Sequence, residues 1–132
     1  MTRILLAEDN VMIAMMAEAD LRRAGYDVLG PFLRNEPALA AAEQVGVELA
    51  FVDVDLKDGD SGIELARLLK VRHDVPSVFM TGQADQAQAA RELALGLLTK
   101  PFRSNALVDT AEAALDYVRR GEPPAETGCL WF

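Results

Sequence analysis

Short apolar runs alternate along this chain with longer stretches of helical periodicity. The runs fall at residues 4–7, 26–30, 49–53, 77–80 and 97–99, and each predicts a strand. The stretches between and after them, 11–24, 36–45, 62–71, 85–95 and 104–119, predict helices. Strand–helix units in succession imply a parallel sheet with helices on both faces. Right-handed crossovers then leave few topologies. The last helix carries the period clearly, with Leu107, Ala111, Ala114, Leu115 and Val118 on one face. The first is weaker: Ile13, Met16, Ala17, Leu21 and Ala24 share a stripe into which Asp20 intrudes. Gly25 stops that helix, Pro31 closes the second strand, and Asp58-Gly59 with Ser61-Gly62 turns the chain ahead of the third helix.

The run from Gly121 onward breaks the pattern with Pro123-Pro124 and ends Leu130-Trp131-Phe132. Two readings stand for those apolar residues: they fold back on the domain, or they form a docking peptide for a partner. The expected organisation is one domain over 1–120 and a tail over 121–132, with no output domain.

Composition narrows the function classes. A chain of 132 residues is long enough to bury a core without staples. Its net charge of -8 argues against nonspecific nucleic-acid binding, which draws its affinity from Lys and Arg at phosphates. It suits attraction of cations or basic surfaces. The sole cysteine, Cys129, cannot form an internal disulfide. No stretch approaches the roughly 20 apolar residues of a membrane span. Glu8-Asp9 cuts the first apolar run too early for a signal peptide, so a cytoplasmic location is expected.

The candidate chemistry lies where strands stop. Glu8-Asp9 ends the first run, Asp53 the third, Thr81 follows the fourth and Lys100-Pro101 the fifth. Open α/β sheets bind ligands at the carboxyl ends of their strands. If the three carboxylates converge, each pair about 4–5 Å apart repels by roughly 3–4 kcal/mol at an effective dielectric near 20. Protonation or a cation must relieve that. Oxygen-only ligands suit Mg²⁺, and no His or Cys is near enough in sequence to favour zinc. The sole histidine, His73, ends a helix pattern and reads as an ordinary surface residue.

Asp53 is the natural nucleophile, since Asp carboxylates can form acyl phosphates. Phosphoryl transfer asks a protein mainly to position groups and neutralise charge, work that Lys100, Thr81 and nearby backbone N–H groups could share. Each residue alone has a bland reading. Asp53 could cap a turn, Thr81-Gly82 could be a turn, Lys100 could be a solvated Lys before a loop, and Glu8-Asp9-Asn10 could cap the first helix. Their joint order at strand ends is hard to explain structurally.

Leu5-Leu6-Ala7-Glu8-Asp9, Phe51-Val52-Asp53-Val54-Asp55-Leu56, Asp60-Ser61-Gly62-Ile63-Glu64-Leu65, Met80-Thr81-Gly82 and Thr99-Lys100-Pro101-Phe102 together resemble the receiver (CheY-like) domain of two-component response regulators. The resemblance covers residue 3 to about 119. It implies a doubly wound, flavodoxin-like sheet of five parallel strands in the order 2-1-3-4-5. Asp53 would accept a phosphoryl group from a histidine kinase or histidine phosphotransfer protein. Asp9, Asp53 and the Asp55 backbone carbonyl would hold Mg²⁺, Glu8 would help through water, and Thr81 and Lys100 would contact phosphoryl oxygens. The Lys100–Pro101 bond is expected to be cis, an isomer cheap only before proline. Output would come through phosphorylation-dependent protein binding. The protein would dock on an unknown effector, relay phosphate, or form a homodimer through the fourth helix, fifth strand and fifth helix.

Three departures accompany the resemblance. Leu97 stands where receivers usually carry Tyr or Phe, so the usual aromatic switch coupled to Thr81 is absent or replaced. The loop after Asp53 is longer by one residue and has Lys57 where Pro is common. Asp55 adds an acid beside the metal at a rate-tuning position, and Gln83 occupies another. Two rival readings remain: a pseudo-receiver that never takes phosphate, and a haloacid-dehalogenase-like phosphatase. The second would need its final acid pair at a strand end downstream of Lys100, whereas Asp109, Glu112 and Asp116 there follow a helical pattern.

Overall fold

The computed structural model describes residues 1–56, 59–125 and 128–132, with the backbone alone for Ser104. Lys57 and Asp58, singled out above, lie outside the described residues. In chain order the elements are β1 (Arg3–Ala7), α1 (Val11–Arg23), β2 (Asp27–Phe32), α2 (Asn35–Gln44), β3 (Leu49–Asp53), α3 (Gly62–His73), β4 (Ser77–Thr81), α4 (Ala84–Ala89), β5 (Gly96–Thr99), α5 (Ser104–Arg120) and β6 (Leu130–Trp131). The sheet runs β2-β1-β3-β4-β5-β6. The first five strands are parallel in the expected order. β6 is an addition: it pairs antiparallel with β5, so the tail folds back and the sheet has six strands rather than five.

Successive residues of a strand point to opposite faces, and the core divides accordingly. Ile4, Leu6, Phe51, Val78, Met80 and Leu98 pack with Leu21 of α1 and with Leu107, Ala111 and Ala114 of α5. Leu5, Ala7, Ala50 and Val52 pack on the other side with Ala38 and Ala42 of α2 and with Leu65 and Leu69 of α3. A third group, Val54, Ala66, Phe79, Ala87, Ala90 and Leu97, fills the space beneath α3 and α4. β3 and β4 are buried along their whole length, the condition under which strands read as continuous apolar runs.

Several boundaries differ from the sequence expectation. Pro31 lies inside β2 rather than closing it. β2 is the sheet's edge, where a missing N–H removes no ladder bond. α4 stops at Ala89 instead of reaching residue 95, and a 3-10 turn over Arg91–Leu93 follows. Helix propensity in this Ala-rich stretch yields to the sheet, because the Leu95 N–H donates to the Ser77 carbonyl at 2.8 Å and draws the chain into the ladder. α1 is turned relative to its expected stripe. Ala14, Ala17, Asp20 and Leu21 are buried, whereas Met16 faces solvent, and Asp20 pairs with Arg23 at 3.0 Å. On α5 the buried stripe ends at Ala114, and Val118 is exposed. Among the described residues, no helix is long and apolar enough to cross a membrane.

Candidate functional site

β1, β3 and β5 end at the same rim of the sheet, and their ends carry the charged groups. β1 hands directly to Glu8 and Asp9 before α1 begins at Val11. Asn10 takes the capping duty: its Oδ1 accepts the Ile13 N–H at 3.1 Å. Glu8 and Asp9 are thereby left for other work, although Glu8 Oε2 also accepts the Asn10 N–H at 3.0 Å. Asp53 is the last residue of β3 and is 6% exposed, while Glu8 is fully buried. One carboxylate oxygen from each of Glu8, Asp9 and Asp53 lies within 4.8 Å of the others. The Asp55 carboxylate stands outside that group among the described residues, and its side chain is exposed.

Lys100 closes the site from β5. Its N–H donates to the Thr81 carbonyl at 2.8 Å, which ties the ends of β4 and β5 together. Its Nζ lies 2.5 Å from Glu8 Oε1 and 3.2 Å from Asp53 Oδ2. The Lys100–Pro101 peptide bond is cis, as expected. Thr81 is buried at the end of β4, but its hydroxyl is turned onto its own loop. Oγ1 accepts the Gln83 N–H at 2.9 Å and lies 3.3 Å from the Gln83 carbonyl. The structure thus gathers Glu8, Asp9, Asp53 and Lys100 into one contact group and leaves Thr81 alongside it.

Among the described residues, three acids face one ammonium in this group, and Asp53 responds. Its pKa rises to about 6, chiefly because burial disfavours the charged carboxylate, and further because of hydrogen bonding to and repulsion from Glu8. Lys100 and the Asp55 N–H, which donates to Asp53 Oδ1 at 3.2 Å, pull the other way. Clustered carboxylate oxygens at a solvent-reachable rim match the donor set of a hard divalent cation.

Sequence reasoning missed Gly62 as a part of this site. A Cβ there would lie 1.8 Å from the Asp53 carbonyl oxygen and 2.9 Å from Val52 Cγ1. Only glycine lets the start of α3 sit against the end of β3. The sequence signal was faint, since Ser61-Gly62 reads simply as a turn and helix cap, and Ser61 Oγ does accept the Glu64 N–H at 3.4 Å. Leu97, at the position where an aromatic was expected, is buried in the group beneath α4, and Phe132 from the tail packs against that same group.

Residues 4–112 match the family model described as the response regulator receiver domain. The chain belongs to that family. Among curated relatives, this receiver is 32% identical over 130 residues to the transcriptional regulatory protein AruR of Pseudomonas aeruginosa, covering 93% of this chain and 53% of the relative. It is 32% identical over 120 residues to the transcriptional regulatory protein PdtaR of Mycobacterium tuberculosis, covering 89% and 58%. The chain therefore spans little more than half the length of these relatives. Solved receivers share its fold. The signal receiver domain of a modulated diguanylate cyclase from Desulfovibrio desulfuricans superposes with a TM-score of 0.81 at 29% identity, covering 91% of this chain and 98% of that one. The receiver domain of NtrX from Brucella abortus gives 0.80 at 28%, covering 86% and 98%. The phosphatase rival loses its footing: Asp109 and Glu112 are exposed on α5, apart from the acids that converge.

Proposed function

We propose that this receiver accepts a phosphoryl group on Asp53 from a phosphohistidine of a histidine kinase or histidine phosphotransfer protein, and signals by phosphorylation-dependent protein binding. The observation that carries the reading is the Lys100 ammonium at 3.2 Å from Asp53 Oδ2, set opposite the Glu8–Asp9 acids at one rim. An Asp53 carboxylate oxygen attacks phosphorus, the P–N bond of the donor breaks, and the imidazole leaves. Lys100 swings from Asp53 to a phosphoryl oxygen and neutralises charge there. Thr81 releases its contacts with Gln83 and turns its hydroxyl to a second phosphoryl oxygen.

Glu8, Asp9 and Asp53, with the Asp55 carbonyl, would hold Mg²⁺, and the fit rests on the converging carboxylate oxygens. A bound Mg²⁺ supplies charge neutralisation for the phosphoryl oxygens. In this reading, Thr81 movement biases the Gly82–Gln83 link, α4 and β5 between two arrangements, which is how a local charge change becomes a binding signal. The chain is read as a receiver that acts in the cytoplasm on separate partners.

The test is intact mass or Phos-tag mobility after incubation with acetyl phosphate and Mg²⁺. One phosphoryl group is expected on the wild type and none on Asp53→Asn. Incorporation that survives Asp53→Asn removes the assignment. A wild type that takes no phosphate under any donor favours the phosphorylation-independent module instead.

A further inference from the structure

Asp60 lies just ahead of α3, yet its side chain serves a different helix. Its Oδ2 accepts the Asn35 N–H at 2.8 Å, and Asn35 Nδ2 donates to the Ser61 carbonyl at 3.1 Å. Asn35 is the first residue of α2, and Arg34 ahead of it supplies no side-chain cap. The first N–H groups of a helix have no partner within it and favour a negative charge. Asp60 meets that need from 25 residues along the chain. A cap supplied by another element joins two parts of the fold.

The parts joined here flank the cation site. The connection from β3 to α3 is held as two paired arms. The Gly62 N–H donates to the Val54 carbonyl at 2.8 Å, the Leu56 N–H donates to the Asp60 carbonyl at 3.0 Å, and Asp55 pairs antiparallel with Ser61. The Asp55 carbonyl and the Leu56 N–H belong to one planar peptide unit and point in opposite directions. The bond from Leu56 to Asp60 therefore aims the Asp55 carbonyl away from Asp60. Asp60 acts twice: its carbonyl orients that peptide, and its carboxylate anchors the pair of arms to α2.

The acids of β1 hang from the same stretch of chain. The Glu8 N–H donates to the carbonyl of Phe32, the last residue of β2, at 3.0 Å. Residues 32–35 thus tie the Glu8 backbone to the arms that present Asp55.

We propose that Asp60 and Asn35 are positioning residues for the cation, and that the clasp between them sets how well the site prefers Mg²⁺ to a larger divalent ion. The inference rests on the reading of the Asp55 carbonyl as a Mg²⁺ ligand. Mg²⁺ demands near-ideal octahedral geometry, whereas Ca²⁺ accepts more ligands at looser angles. A carbonyl that wanders is therefore costly to the smaller ion and tolerable to the larger. A residue that merely stabilised the fold would not discriminate between them.

The experiment measures Mg²⁺ and Ca²⁺ affinity of the full chain by calorimetry in wild type, Asp60→Ala, Asp60→Asn and Asn35→Pro. Val75→Ala is the stability control, a buried truncation ahead of β4 and so at the end of that strand remote from Thr81. Gly46→Ala is the neutral control, because a Cβ there meets nothing within 4 Å.

Asp60→Ala should weaken Mg²⁺ binding about tenfold, the low end for groups that orient a ligand from outside. Ca²⁺ binding should weaken much less, so the Mg²⁺ to Ca²⁺ affinity ratio falls. In the metal-free protein the Leu56 amide should exchange faster while β3 amides stay slow. Asp60→Asn keeps an acceptor but lacks the charge, and it should restore the ratio, which separates aim from electrostatics. Asn35→Pro removes the donor. Proline suits the first helical position, and the extended backbone of Arg34 suits the residue before it. That variant should keep α2 and lower the ratio as Asp60→Ala does. Val75→Ala should lose stability with the ratio unchanged.

Equal losses for the two ions in Asp60→Ala overturn the clasp, and so does an Asp60→Asn that leaves the ratio low. If Asp60→Ala fails to fold, Asn35→Pro carries the same comparison. A wild type that binds neither ion removes the cation reading and the clasp with it. Wild-type binding with an unchanged ratio in Asp60→Ala and Asn35→Pro overturns the clasp alone.

Discussion

Lys100 Nζ lies 3.2 Å from Asp53 Oδ2, so the ammonium carried by the end of β5 reaches the last residue of β3 across the end of β4. The same ammonium contacts the fully buried Glu8. Among the described residues one cation answers three anions, and this imbalance governs how the site should respond to substitution, protons and metal.

Removing one anion relieves repulsion, so Asp9→Asn should stabilise the metal-free protein while weakening cation binding. The expected gain is about 1–3 kcal/mol, below the roughly 3–4 kcal/mol of one pair at an effective dielectric near 20, because Lys100 already offsets part of it. Urea unfolding with and without Mg²⁺ checks both signs at once. A loss of stability in the absence of metal contradicts the picture of a strained acidic cluster.

Asp53 binds its proton more tightly in the folded chain, with a pKa of about 6 against an ordinary 3.8. Its contribution to stability is therefore fully present below about 3.8 and is lost as the pH rises through about 6. The metal-free wild type should lose stability across that window relative to Asp53→Asn, which lacks the titration. Mg²⁺ affinity should run the opposite way and weaken below pH 6, where the proton competes. Thermal melts of both proteins from pH 4 to pH 7 separate these effects.

Chelation offers a third check. A ligand that binds only the folded state at 100 times its Kd adds about 2.7 kcal/mol. Saturating Mg²⁺ should therefore raise the melting temperature of the wild type, and EDTA should return it to the starting value. Asp53→Asn and Asp9→Asn should show little of this response.

Gly62→Ala should damage the site from behind. Its Cβ would fall 1.8 Å from the Asp53 carbonyl oxygen, so β3 or the start of α3 must move. Overpacking of this kind typically costs about 1–3 kcal/mol, occasionally more. Cation affinity should fall together with stability, whereas Gly46→Ala should change neither. A Gly62→Ala protein with normal Mg²⁺ affinity would show that the contact does not position Asp53.

The acidic rim was legible in the sequence because Glu8, Asp53, Thr81 and Lys100 each follow an apolar run, and parallel strands buried on both faces leave such runs unbroken. The sheet order was legible for the same reason. Other features depend on contacts distant in sequence and leave no local pattern. β6 has two residues, too few to show any period, and Gly96 gave no sign that its missing Cβ accommodates Leu130 and Trp131. Pro31 looked like a stop because nothing local says that β2 is an edge strand. Ala-rich residues beyond Ala89 looked helical because propensity cannot register the Leu95–Ser77 bond. On α1, the apolar Met16 misled where the small Ala14 and Ala17 do the packing.

The acids and the ammonium arrive from β1, β3 and β5, separated in sequence by whole strand–helix units. No proteolytic piece of the chain can therefore carry a working cation site, and none should bind the ion with the parent's affinity. Titrating the ion is then an assay of global folding. Denaturant should abolish coordination and helix signal in a single shared transition.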